Sequence, residues 1–94
     1  MKVKQYRKRP LEVEAIQFDG SEESANFIIE WTNGEIYSSL DPFKPYHRFV
    51  LLMDTLSGRQ SCYANDYVIK DCRNRIGFLS KSVFEHTYEE KKNE

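Results

Sequence analysis

The chain has 94 residues, of which 39% are hydrophobic, 31% charged and 14% aromatic, and its formal net charge is −1. This length suits a single domain, 1–94, with a small core, and the aromatic content argues against disorder. The near-neutral charge provides no broad positive field for nucleic acid or for an anionic membrane. No segment approaches the roughly 18 apolar residues of a membrane span and no signal peptide precedes Val3, so we expect a cytoplasmic protein.

The N-terminal region combines a basic run with the first predicted strand. The basic residues are Lys2, Lys4, Arg7, Lys8 and Arg9. Pro10 ends this run, and the strand is predicted over residues 11–18. Its apolar alternation shifts at Ala15 to Ile16 and Phe18, which predicts a bulge near Ala15 or a strand buried on both faces.

One main helix is predicted over about residues 21–32. Asp19 or Ser21 can cap its start, and glutamates at 22 and 23 occupy the first turn, where the helix dipole favours negative charge. Asn33-Gly34 predicts its end, because glycine adopts positive φ without steric cost.

The remainder of the chain is predicted as short strands followed by a short helix. Residues 49–53 are consecutive apolar residues and predict the most buried strand, whereas the two prolines in 41–47 predict a loop. The other predicted strands cover residues 35–40, 60–64, 67–70 and 75–79, and a helix near Val83, Phe84 and Tyr88 follows them. The fold class is therefore α+β, with a strongly bent antiparallel sheet or small β-barrel or roll, one main helix and a short C-terminal helix.

The sequence contains no recognisable catalytic or metal-binding set. Cys62 and Cys72, with His47 and His86, lack the paired spacing of a zinc site, so we expect no metal and no cofactor. Both thiols are expected to be reduced and to pack as small apolar residues. Because no nucleophile with a base and no glycine-rich phosphate loop is present, we expect a protein that is not an enzyme.

The chain contains YRKRP and VEAIQFDG near its start and a segment from DYVIK to FEHTYE near its end, and these segments resemble a family of small uncharacterised proteins encoded by tailed bacteriophages and prophages. The opening resemblance lies in residues 6–10, YRKRP, and 13–20, VEAIQFDG. The closing one lies in residues 66–89, where the family ends in DYIIK, a turn, and FEKTYE. The matching positions are Asp66, Tyr67, Ile69, Lys70, Phe84, Glu85, Thr87, Tyr88 and Glu89. The resemblance implies a phage or prophage origin and brings no established activity with it.

Two departures from this pattern are informative. Asn74 stands where the family has a turn glycine, which supports a turn between the strands at 67–70 and 75–79, because asparagine tolerates positive φ. Leu79 stands in place of a cysteine, so thiol chemistry could not be transferred to this chain.

Basic and aromatic side chains are the candidate binding residues. We select Arg7, Arg9, Phe43, Tyr46, Lys70 and Lys81. The plainer interpretations are a solvated edge strand for the basic run and an ordinary polar-face position for Lys70. Together these residue types suit an anionic small molecule with a flat ring, such as a nucleotide, or an acidic surface of a host protein.

These observations predict a non-catalytic phage accessory protein in the host bacterial cytoplasm. It would bind and block or sequester a host component, either a defence protein or a nucleotide signal. The alternatives are a virion or assembly accessory protein and a small enzyme, which would need a cleft with a perturbed acid or base. Strand edges and large aromatics that a small core cannot cover also predict self-association, most simply a dimer. We expect neither a nucleic acid nor a membrane partner.

Overall fold

The computed structural model describes residues 3–4, 12–43 and 48–89. Within these ranges the chain forms two helices and two antiparallel sheets of three strands each. In chain order the elements are β1 (Glu14–Gln17), α1 (Glu22–Trp31), β2 (Tyr37–Leu40), β3 (Phe49–Thr55), β4 (Gly58–Cys62), β5 (Tyr67–Lys70), β6 (Ile76–Leu79) and α2 (Lys81–Thr87). The predicted α+β class is confirmed, and the described strands do not close into a barrel.

Each sheet is built around a hairpin and receives one further strand. The first sheet has the order β1-β5-β6, and β1 pairs with β5 in continuous register from Glu14↔Lys70 to Gln17↔Tyr67. The second has the order β2-β3-β4, with the apolar strand β3 in the middle. The prediction that residues 49–53 form the most buried strand is confirmed.

One hydrophobic core joins the two sheets and α1. Its fully buried large side chains are Phe18, Ile28, Ile36, Leu51, Val68 and Cys62. The helix supplies Ala25 and Ile28, which are on its apolar face because they are three residues apart. The helix packs against β2 and β3.

The signals at both ends of the main helix are confirmed. Ser21 is the N-cap, and its hydroxyl accepts a hydrogen bond from the Ser24 N–H at 3.1 Å. At the other end Asn33 and Gly34 both have positive φ, 55° and 77°, which turns the chain out of the helix. Asn74 also has positive φ, 61°, which confirms the turn between β5 and β6.

The bulge predicted at Ala15 is wrong for the described strand. The β1 pairing is regular, and Ala15 lies on the exposed face, whereas Ile16 and Phe18 pack in the core. The apparent shift in the apolar alternation therefore comes from Ala15, a small apolar residue on the outer face. Exposure of an alanine side chain to water has little effect on stability.

The two cysteines differ in environment, so the prediction that both pack as core residues holds only for Cys62. Its thiol is buried, and this burial, with a smaller contribution from Asp66, raises its pKa to about 12. Cys72 is exposed because it lies in the β5–β6 turn, where hydrogen bonds to Asp71 rather than apolar packing hold the chain.

The short C-terminal helix is confirmed and is joined to the first sheet by aromatic stacking. The rings of Tyr67 and Phe84 are 3.9 Å apart at their centroids, and Phe84 also stacks with Tyr88 at 5.2 Å. No helix among the described residues is both long and apolar enough to cross a membrane.

Candidate ligand-binding cleft

Three chain connections meet at one end of the molecule. They are the β1–α1 connection, the ends of the β2–β3 connection and the β4–β5 connection. The Asp41 N–H donates to the Arg48 carbonyl at 2.8 Å, and the Phe49 N–H donates to the Gly20 carbonyl at 3.0 Å. The Asn65 N–H donates to the Phe18 carbonyl. These main-chain bonds hold residues that are far apart in sequence around a common cleft.

Gly20 allows the connections to approach this closely. Its φ is +86°, and a Cβ at this position would be 3.0 Å from Cβ of Ala64. The side chain of Arg48 is also within 3.4 Å of that point. Glycine is therefore required both by backbone conformation and by lack of space.

The cleft has a volume of about 610 Å³, within the range of roughly 300–1,000 Å³ usual for small-molecule sites. The residues that line it are Asp19, Asp41, Phe43, Arg48, Phe49, Tyr63, Ala64 and Asn65. Phe43 is 88% exposed and Tyr63 is 50% exposed, so two aromatic side chains present their rings to solvent beside polar groups. Exposed rings of this kind are suited to stack against a flat ligand.

Arg48 is the cation among the described lining residues. One of its Nη1 hydrogens is donated to the Asp19 carbonyl at 3.0 Å, which anchors the guanidinium. Within the described part of the chain, Nε and Nη2 meet no acceptor, and no carboxylate forms an ion pair with Arg48. Since a guanidinium has five N–H donors, Arg48 retains several for an anionic ligand.

Asp19 is held by the helix start rather than by Arg48. Its Oδ1 accepts from the Ser21 hydroxyl at 2.6 Å and from the Ser21 N–H at 2.9 Å. These bonds lower the pKa of Asp19, first through the hydroxyl and then through the N–H, and the charge of Arg48 adds a smaller contribution. Oδ1 of Asp19 therefore helps to hold the start of α1.

Asp41 is the most buried polar residue of the cleft, with only 8% of its surface exposed. Its Oδ1 accepts the N–H of Phe43 at 2.9 Å, so this carboxylate positions the backbone of the exposed ring. Among the described residues no donor meets Oδ2, and the side chain has no polar atom that is both fully enclosed and unpaired. Oδ2 is thus an acceptor that keeps some contact with solvent.

The structure separates the predicted binding residues. Phe43 lies in the cleft, whereas Lys70 lies at the far end of β5 and Lys81 is exposed at the start of α2. Lys70 pairs with Ile76 and Tyr67 pairs with Leu79, so the two lysines occupy opposite ends of the β5–β6 hairpin. The predictions for Arg7, Arg9 and Tyr46 fall outside the described residues.

Lys70 has partners within the fold. Its ammonium donates to the Trp31 carbonyl at 2.9 Å and lies 4.3 Å from the centre of the Trp31 ring. Trp31 is the last residue of α1, so the positive charge also meets the negative end of the helix dipole. These contacts give Lys70 a role in joining α1 to β5.

Sequence reasoning missed Asp41, Arg48 and Tyr63. Each is directly adjacent to a strand in sequence. Polar or aromatic residues at strand ends are a general signal for a binding site. That signal could not show that these particular ends converge, because the pairing of distant strands decides it.

No family model, curated protein or solved structure matches this chain. Among the described residues, no group of three or more His, Cys, Asp or Glu side chains is placed to hold a metal ion.

Proposed function

We propose that this protein is a non-catalytic binding module that sequesters a small anionic molecule with a flat ring, such as a nucleotide, in the cleft beside Phe43. The observation that carries the proposal is that two exposed aromatic rings, Phe43 and Tyr63, line the same cleft as Arg48. Several N–H groups of the Arg48 guanidinium have no acceptor in the described part of the chain. A ligand that covers the 88% exposed Phe43 ring would remove apolar surface from water, which favours binding.

Stacking and charge then have separate roles. The rings of Phe43 and Tyr63 supply apolar contact to a base, which tolerates any flat heterocycle. The guanidinium of Arg48 supplies charge-assisted hydrogen bonds to a phosphate or carboxylate. The two kinds of contact together distinguish a nucleotide from either a free phosphate or an uncharged ring.

The charge balance limits how many phosphates the ligand carries. The described lining residues include one guanidinium and two carboxylates, those of Asp19 and Asp41. A chain of several phosphates would meet repulsion from these carboxylates with a single cation to offset it. A monophosphate therefore suits the cleft better than a triphosphate.

The resemblance to phage and prophage proteins supports the host bacterial cytoplasm as the place where this binding occurs. A protein that only sequesters its ligand needs no catalytic group, and removal of a host nucleotide signal from the bacterial cytoplasm is a role that binding alone can perform. The proposed biological role is therefore that of a phage accessory protein acting against a host signal. Self-association into a dimer stays a prediction alongside this proposal.

The test is isothermal titration with AMP, GMP, CMP and UMP on the purified chain. Phe43→Ala should weaken binding of a monophosphate that the chain binds by about 5- to 100-fold, the usual effect of removing one stacked ring. Phe27→Ala is the matched control, because Phe27 is also an exposed phenylalanine, at 62%, but lies on α1 outside the cleft. Equal losses in both variants, or no binding of any of the four, would contradict the proposal.

Arg48→Gln should weaken the same binding and reduce its dependence on salt, since a charge-assisted contact is lost. Arg59→Gln is the control, because Arg59 is exposed on β4 and pairs with Asp54 away from the cleft. A host protein captured with unchanged affinity by Phe43→Ala would favour a protein partner that binds another surface.

A further inference from the structure

We propose that Asn33 is a deamidation site and that the contacts at the end of α1 control how fast it reacts. The chain has five asparagines, and Asn33 is the one that a glycine follows. The backbone nitrogen of a glycine can approach the preceding asparagine side chain closely, because glycine has no Cβ to obstruct it. Asn33 and Gly34 are both exposed, so water has access to the site.

The reaction needs water and no catalytic group. The Gly34 amide loses its proton to water or hydroxide, and its nitrogen forms a bond to Cγ of Asn33. The bond from Cγ to the side-chain nitrogen breaks, and that nitrogen takes up a proton and leaves as ammonia. Water then adds to either carbonyl of the resulting succinimide ring and breaks its C–N bond. The product is an aspartate or an isoaspartate, in which the main chain runs through the former side chain.

The fold holds the attacking nitrogen in a hydrogen bond. The Gly34 N–H donates to the Ile29 carbonyl at 3.0 Å, and the Asn33 N–H donates to the Glu30 carbonyl at 3.1 Å. A hydrogen bond donated to a carbonyl favours the protonated amide over the anion that must attack. Attack by Gly34 therefore requires the end of α1 to open.

The last four carbonyls of α1 all accept hydrogen bonds, although a helix end leaves these groups without partners in the helix itself. The hydroxyl of Thr32, which is only 3% exposed, donates to the Ile28 carbonyl at 2.9 Å and to the Ile29 carbonyl at 3.1 Å. The Trp31 carbonyl accepts from the Lys70 ammonium at 2.9 Å. Lys70 belongs to β5 and so ties this helix end to the first sheet.

Deamidation makes the loss of these contacts permanent. An isoaspartate lengthens the main chain between residues 33 and 34, so the two turn N–H groups no longer match the Ile29 and Glu30 carbonyls. Either product also adds a negative charge at the negative end of the helix dipole. The modified chain should therefore unfold at a lower denaturant concentration than the unmodified chain.

The first test compares the folded and the unfolded chain at mildly alkaline pH. Peptide mapping by mass spectrometry follows the conversion of each asparagine in buffer and in guanidinium chloride. Asn33 should react fastest in guanidinium chloride, and its rate in buffer should be about 10-fold or more lower, which corresponds to an opening free energy of about 1.4 kcal/mol or more. Equal rates in the two solutions would overturn protection by the fold. Faster reaction of another asparagine in the unfolded chain would overturn the choice of Asn33.

The second test asks whether a local opening at α1 exposes the site. Lys70→Met removes the hydrogen bond to the Trp31 carbonyl and should raise the rate in buffer by about 5- to 30-fold, with no change in guanidinium chloride. Phe84→Ala is the matched control, because it weakens the fold at α2, where the ring stacks with Tyr67 and Tyr88. It should leave the rate in buffer unchanged. No acceleration by Lys70→Met, or an equal acceleration by Phe84→Ala, would overturn control by the end of α1.

Discussion

The Lys70–Trp31 junction and the cleft each bring a cation close to aromatic side chains, but only at the junction does the fold use both groups in contacts of its own. At the Lys70–Trp31 junction, the ammonium is 2.9 Å from a carbonyl and 4.3 Å from a ring centre. At the cleft, Arg48 has one anchoring hydrogen bond while Phe43 and Tyr63 remain exposed beside it. At the junction both the cation and the ring have partners within the fold, whereas at the cleft the rings and several guanidinium N–H groups do not.

The difference shows how a structural contact can be distinguished from a candidate binding site. Lys70 meets the C-terminal carbonyl of α1 and an aromatic face, so its charge already stabilises the fold. Phe43 contributes little to the core because its ring is largely in water. Substitution at the junction should therefore affect stability, and substitution at the cleft should affect binding.

The largest effect is expected from the core that supports both regions. Leu51→Ala removes a fully buried side chain at the centre of β3 and should lower the free energy of unfolding by about 2–5 kcal/mol. Urea unfolding measures this loss, and Leu56→Ala, in the exposed β3–β4 turn, is the control. A loss below about 1 kcal/mol would contradict the central position of β3 in the core.

A smaller loss is expected at the junction. Lys70→Met retains the aliphatic stem but removes the ammonium, with its hydrogen bond and its contact with Trp31, and should cost about 1–2 kcal/mol of stability. Its affinity for nucleoside monophosphates should equal that of the unmodified chain. Lys81→Met, at an exposed lysine, should change neither property. If Lys70→Met weakened nucleotide binding without loss of stability, the junction would be part of the site.

The smallest expected effect concerns pH at the cleft. Because hydrogen bonds from Ser21 lower the pKa of Asp19 in the folded chain below its ordinary value of 3.8, Asp19 stabilises the fold above that pH. This contribution is lost as the pH falls through the lowered pKa of the folded state. Thermal unfolding at pH 6 and pH 2.5 should therefore show a smaller acid-induced decrease in Asp19→Asn than in the unmodified chain. An identical decrease in both would show that the Ser21 contacts do not favour the charged form.

The local elements of the fold could be predicted because their signals are short. Ser21 and Asn33-Gly34 mark both ends of α1, and the apolar run at 49–53 marks β3. Two separate sheets could not be predicted in the same way, since β1 pairs with β5 across about fifty residues of sequence, and hydrophobic alternation does not specify a partner strand.

Only part of the candidate site could be predicted from the sequence, for the same reason. Phe43 could be selected because it lies on a proline-containing loop, where recognition residues are common. Arg48 directly follows that loop in sequence, but it shares a cleft with Tyr63 only because three connections converge, so no local spacing identifies the set. Lys70 illustrates the opposite error, because its partner Trp31 is 39 residues away and no sequence pattern joins the two.

The most direct test of the distinction between the two regions is amide chemical-shift mapping of the ¹⁵N-labelled chain during separate titrations with AMP, GMP, CMP and UMP. We expect the largest shifts at Asp41, Phe43, Arg48 and Tyr63, and none at Trp31 or Lys70. Shifts centred on Trp31 and Lys70, or no shifts with any of the four at millimolar concentration, would contradict the assignment of the cleft as the binding site.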